Sequence, residues 1–382
     1  MTPGHHLSKR HGISDYLAIA SPQPAGFIYV ETDRYLASAE PSIQDSDSYE
    51  EVKEKLRQWA KEPLEEVRFL GRIVERMPEE GDGFTPEESG KMKGCVVYAP
   101  FHLPPKIFTI YLDLVKTLAG PQLWKCIKGW RYLLQGKGDG VVAKMLQENE
   151  AGWVSNLLKL KELGDGCEAW CFDVGVDNHR DGTEPMEAVG RLIDAVRKRE
   201  QKEGGGGDGK KVKFVLSTYM SSPFLGIRAD HVALSFLTCH VTNYTANIEI
   251  DHLAKPPLSP ISPTPSPIWL QAMSSLSSDT NVYMKFSGAF NEFTVDPTPA
   301  DIPSILTALS PFLDHVFKCF PGRVMFGSDW PVCNVGGPAG EEGSWKLWRS
   351  VVDAWMEGKG LGEGERERVW RGAGSEAYGV SL

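Results

Sequence analysis

Short apolar runs alternate along the chain with longer stretches whose apolar residues recur at helical spacing. Residues 26–31 (GFIYVE), 95–100 (CVVYAP), 126–134 (CIKGWRYLL) and 168–176 (EAWCFDVGV) each predict a strand. So do 212–216 (VKFVL), 282–288 (VYMKFSG) and 323–327 (RVMFG). Between them, Val67, Leu70, Val74 and Met77 share one helical face, as do Trp345, Trp348, Val352 and Trp355. Strands that are apolar on both faces and separated by helices imply a parallel sheet covered by helices. Seven such units, or eight, favour an α/β fold of the (β/α)8 barrel type over a doubly wound sheet. No GxGxxG turn follows an early strand, which weakens a dinucleotide-binding alternative.

In such barrels the active site lies at the C-terminal ends of the strands, so polar residues there read as functional. The run 324–334 (VMFGSDWPVCN) carries an apolar strand straight into Asp329, a residue type that is rarely buried without a partner. Arg131 lies in CIKGWRYLL and Lys285 in YMKFSG, while His252 ends the apolar run of IEIDHLAKP. Taken singly, Arg131 and Lys285 read as surface charges and His252 as a turn residue. Together, four such groups at strand ends are expected to converge on one pocket.

Composition narrows the partners. The chain has 382 residues, 41% hydrophobic, with eleven tryptophans, which excludes general disorder. A formal net charge of −10 without a long basic block argues against nucleic acid, leaving a small-molecule substrate. The sequence has neither a membrane-spanning apolar run nor a charged-apolar-small leader. Seven cysteines, an odd number without CxxC pairs, fit a reducing, cytoplasmic setting and not a zinc knuckle.

The stretches GSDWPV, DHLAKP, YMKFSG and KGWRYLL resemble the amidohydrolase-related family (amidohydrolase 2), in its sugar-lactone and dicarboxylate-lactone hydrolase branch. GFIYVETD is similar to that family's second strand and VWRGAGSEAYGV to its closing helix. The resemblance implies a barrel in which water attacks a carbonyl. It implies Asp329 as general base, His252 as the inner-strand histidine, Arg131 as the arginine holding substrate and Lys285 as the lysine of a KxSG stretch. Hydrolysis of a lactone needs a base for the water and donors or a metal for the developing oxyanion. Arg131 can grip a carboxylate or hydroxyl through its fork, and His252 can polarise the carbonyl or protonate the leaving alkoxide. His252 and Asp329 are fewer than the three protein ligands of a catalytic zinc, so the expected reaction needs no cofactor, or one zinc-like divalent ion held by those two. The alternatives are a metal-dependent decarboxylase of the same barrel family and a non-catalytic, truncated remnant.

One departure concerns the family's first strand, which ends in His-x-His. This chain lacks the motif, and His5 and His6 are adjacent outside any apolar run. The expectation is a barrel domain over 1–382 that begins one strand late and leaves a gap in its wall. Insertions are expected at 200–211, 217–249 and 256–268. The first, EGGGGDGKK at its core, approaches a phosphate-binding loop but has Lys211 where Ser or Thr is required, and reads as a linker. The second is expected to lie outside the barrel and to be dispensable. The third is proline-rich and reads as an extended surface loop.

Overall fold

A computed structural model describes residues 10–138, 140–163, 171–177, 181–182, 184–203, 211–217, 258–261, 263–294, 297–335 and 337–381. Among the described residues, seven strands form where the apolar runs predict them: β1 Phe27–Val30, β2 Met92–Tyr98, β3 Ile127–Leu133, β4 Cys171–Gly175, β5 Lys213–Ser217, β6 Val282–Phe286 and β7 Val324–Phe326. Each pairs in parallel with the next, in the order β1 to β7, giving a curled half-barrel with β1 and β7 at its two edges. The curl explains why the strands read as unbroken apolar runs. Alternate positions point to opposite faces, and both faces are covered.

The outer face packs on helices. Phe172 of β4, Phe214 of β5, and Met284 and Phe286 of β6 join the large core that includes the helices Lys61–Glu75, Pro105–Cys126, Glu184–Glu203, Ile302–Cys319 and Gly340–Gly358. Fully burying each such side chain contributes about 1.5–3 kcal/mol. The inner face carries Val96, Cys171, Val215, Tyr283 and Met325 from β2, β4, β5, β6 and β7. These form a second cluster with Ala373, Ala377 and Tyr378 near the C-terminus.

Both helical patterns form helices, with one difference. In Gly340–Gly358 all four predicted residues are buried. In Lys61–Glu75, Val67 and Leu70 are buried, but Met77 lies past the end of the helix and is 65% exposed. Arg76 adopts a left-handed conformation (φ 60) there, and the Met77 N–H closes back on the Arg72 carbonyl at 2.9 Å. This wrap satisfies the last carbonyls and turns Met77 away from the apolar face.

The insertions divide in the same way. Residues 200–203 still belong to the helix Glu184–Glu203, and the buried Glu200 accepts the Val212 N–H at 2.9 Å, joining helix end to strand β5. In the proline-rich stretch Leu258 is fully buried and bridges Phe293, exchanging backbone bonds of 2.8 Å with Glu292 and Thr294, so that part is not a surface loop. Pro267 already opens the helix Pro267–Ser277, capped by Ser266. Residues 204–210, 218–257 and 262 lie outside the described residues, and with them the expectation for most of 217–249.

Candidate active site

The turn after β7 is built around Asp329. Its backbone is left-handed (φ 55), a conformation that Asp tolerates better than most side chains, and it is 1% exposed. The Cys333 N–H closes on the Asp329 carbonyl at 2.8 Å, fixing the turn. The Trp330–Pro331 peptide is cis.

Two glycines explain why GSDWP and YMKFSG belong together. A Cβ on Gly288 would lie 2.9 Å from the Asp329 Cβ and 3.2 Å from its Oδ2, so only glycine lets the carboxylate sit over the end of β6. Conversely, a Cβ on Gly327 would lie 2.8 Å from the Ser287 Oγ, while the Gly327 N–H donates to the Phe286 carbonyl at 2.7 Å. From outside, the Trp348 indole N–H donates to the Gly327 carbonyl at 3.0 Å and locks the turn to the covering helix. The neighbouring Cys333 thiol is pushed well above its ordinary pKa by burial and, secondarily, by the Asp329 charge.

Lys285, on β6, is 6% exposed and donates from Nζ to Asp173 Oδ2 at 2.9 Å. Asp173, on β4, is fully buried and was not among the expected site residues. Its signal was a carboxylate in the middle of the apolar run AWCFDVGV. Lys285 and Asp329 line one cavity of about 460 Å³, walled by β1 on one side and by β7 with its following turn on the other. Tyr16, from the helix Ile13–Ile19, also faces this cavity, its phenol pushed up to about 12 by burial.

Arg131 has a different setting. It is fully buried in β3 and donates from Nε to Glu31 Oε1 at 2.5 Å and from Nη2 to the Glu31 carbonyl at 2.7 Å. It is not among the residues lining the cavity of Lys285 and Asp329. Burial pushes the Glu31 carboxyl up to about 7, against the pull of Arg131. The loop after β1 is then clamped by Glu66, from the helix Lys61–Glu75. Its Oε1 accepts from the Tyr29 hydroxyl at 2.8 Å, the Thr32 hydroxyl at 2.6 Å and the Thr32 N–H at 3.1 Å. His252 lies outside the described residues.

His102, in the loop after β2, also went unanticipated. Its Nε2 lies 3.0 Å from the Ala39 carbonyl and its ring packs 4.7 Å from that of Tyr132. Burial pushes its pKa down to about 4. The folded protein thus holds a neutral ring where the unfolded chain takes up a proton near pH 6.5. The stabilisation is complete above that value and is lost as the pH falls towards 4. In His102→Gln the decline in stability between pH 6.5 and 4 is expected to shrink by about 2 kcal/mol, allowing for the ring's partial exposure. Urea unfolding at both pH values checks this. An unchanged decline assigns the acid sensitivity to other groups.

Among the described residues, no group of three or more His, Cys, Asp or Glu side chains is placed to hold a metal ion, so these residues do not by themselves build a metal shell. Among them, too, no helix is long and apolar enough to cross a membrane.

A family model described as amidohydrolase matches residues 212–379, a span that includes Lys285, Asp329 and the closing helix. The chain is 24% identical over 322 residues to an L-rhamnono-γ-lactonase of Scheffersomyces stipitis, covering 83% of this chain and 78% of that one. It is 34% identical over 135 residues to an L-fucono-1,5-lactonase of Burkholderia ambifaria, covering 35% of this chain and 41% of that enzyme. A crystallised amidohydrolase from Burkholderia multivorans is 20% identical over 77% of this chain and 85% of its own. Its form with bound HEPES gives a TM-score of 0.46 and its form with bound zinc 0.42. With the motifs GSDWP and YMKFSG packed as one unit on a parallel half-barrel, the chain is similar to the amidohydrolase family over residues 212–379.

Proposed function

We propose that this protein opens a lactone ring by base-assisted attack of water, with Asp329 as the base. The observation that carries the reading is the shared cavity wall. One side presents a carboxylate at the end of β7, and another presents the Lys285 ammonium at the end of β6. Asp329 takes the proton from water as its oxygen bonds to the carbonyl carbon. The negative charge that develops on the carbonyl oxygen is met by the Lys285 ammonium, which is worth more in a water-poor cavity than in solution. When the ring C–O bond breaks, the leaving alkoxide takes a proton, a role this reading gives to His252. Arg131 is assigned to fixing the strand ends through Glu31. The curated relatives supply the substrate class, since both are named as sugar lactonases.

The test uses L-rhamnono-γ-lactone and L-fucono-1,5-lactone, with ring opening followed by acid release in weak buffer. Hydrolysis well above the spontaneous rate is expected for at least one. A folded protein that opens neither overturns the proposal. Repeating the assay after chelation and zinc addition decides whether a divalent ion takes part, with Asp329 and His252 as its candidate holders.

A further inference from the structure

The closing stretch VWRGAGSEAYGV does more than cap the fold. The helix Ala373–Tyr378 enters the inner face of the half-barrel, where Ala373, Ala377 and Tyr378 pack on Val96, Cys171, Val215, Tyr283 and Met325. Glu376 secures it at the strand starts. It accepts the Tyr283 hydroxyl at 2.7 Å, and its carbonyl accepts Lys213 Nζ at 2.5 Å. Two residues on, the Tyr378 hydroxyl donates to Asp173 Oδ2 at 2.6 Å. That same oxygen accepts Lys285 Nζ, and the ammonium lies 5.8 Å from the Tyr378 ring centroid. Asp173, Tyr378 and Lys285 are 0%, 4% and 6% exposed, and Lys285 and Tyr378 both face the cavity that holds Asp329.

A buried carboxylate persists only with charge and donors to meet it. Two charge-assisted bonds onto one oxygen also fix which way the carboxylate points, and so where the ammonium it holds must sit. The phenol contributes geometry here, with its ring beneath the cation and its hydroxyl on the cation's partner.

We propose that Tyr378 is a positioning residue of the active site. By fixing Asp173, it holds the Lys285 ammonium at the cavity wall, so that the end of the chain completes a site otherwise built from strand ends. The role of Lys285 towards substrate rests on the lactone-hydrolase reading. The contact by which Tyr378 holds it does not.

The deciding variant is Tyr378→Phe, which keeps the ring and removes only the hydroxyl. Two measurements are made beside a control, Glu376→Gln, which loosens the same helix at Tyr283 without touching Asp173. The first is trace acetylation of Lys285 relative to Lys128 and Lys213, read by mass spectrometry of the intact, folded protein. Released from a fixed carboxylate, Lys285 is expected to react several-fold faster in Tyr378→Phe and at the parent rate in Glu376→Gln. The second is hydrolysis of L-fucono-1,5-lactone and L-rhamnono-γ-lactone, where Tyr378→Phe is expected to lower kcat roughly 5–10-fold with KM changed far less, as for loss of an interaction made in the transition state. In a Lys285→Met background the same change is expected to leave the residual kcat unaltered, because Tyr378 then has no ammonium to place. A lowered thermal midpoint with unchanged Lys285 acetylation would show that Tyr378 only packs, and would overturn the inference. If the parent opens no lactone, the hydrolase reading fails, and the acetylation ratio still decides whether Tyr378 positions Lys285.

Discussion

Asp329→Asn is expected to fold like the parent and to lose lactone hydrolysis by roughly 10²–10⁴-fold in kcat, the usual contribution of a positioned base. Asn tolerates the left-handed backbone of this position as well as Asp does, so the turn at φ 55 is retained. The amide has the shape of the carboxylate, so its fit over Gly288, where even one methyl group would lie 3.2 Å from Oδ2, is preserved. The bond from the Cys333 N–H to the Asp329 carbonyl is a backbone contact and is untouched. What disappears is the capacity to accept a proton. The turn bonds and the Trp348 anchor persist, so the thermal midpoint is expected to stay within a few degrees of the parent. The acid-release assay at saturating lactone then reads chemistry alone. A folded Asn variant that turns over at the parent rate would remove Asp329 from the base's role.

The inner strands β2 to β6 were legible because they are buried on both faces, and a run of Val, Ile, Phe and Cys has few alternatives to a covered parallel strand; β1, at the edge, is only half-buried. Asp329 was legible for the complementary reason, since a carboxylate directly after such a run needs an explanation that burial does not give. Partners were not legible. Arg131 could be seen as a cation in a strand, but its partner Glu31 lies 100 residues upstream and meets it only because β1, β2 and β3 lie side by side. Asp173 and Tyr378 are 205 residues apart, and no local periodicity announces that a C-terminal helix turns into the inner face of the sheet. Met77 shows the opposite limit. The helical spacing continues through it, but a left-handed Arg76 ends the helix first, and helix ends are set by capping geometry more than by the apolar pattern.

Arg131→Ala is expected to act mainly on stability, by about 3–5 kcal/mol at pH 8, because it leaves a buried carboxylate without its counter-charge. Glu31 is 2% exposed and already held up to about 7 by burial, with Arg131 the main opposing pull and Glu66 and Asp33 adding to the rise. Without the guanidinium the folded-state pKa rises further, while the unfolded chain keeps an ordinary glutamate near 4.3. A group whose folded pKa lies above its unfolded value favours folding most at low pH, and this contribution is lost as the pH rises through the folded value. The deficit of Arg131→Ala relative to the parent is therefore expected to be small at pH 5, where the lone carboxyl can take a proton, and largest at pH 8. Urea midpoints at the two pH values measure it. Adding Glu31→Gln to the variant removes the stranded charge and is expected to recover part of the loss at pH 8, a non-additivity that direct partners show and distant sites do not. Should Arg131→Ala instead keep the parent's stability at pH 8 and raise KM for the lactone, the guanidinium would belong to substrate binding, and the pair with Glu31 would be its resting state.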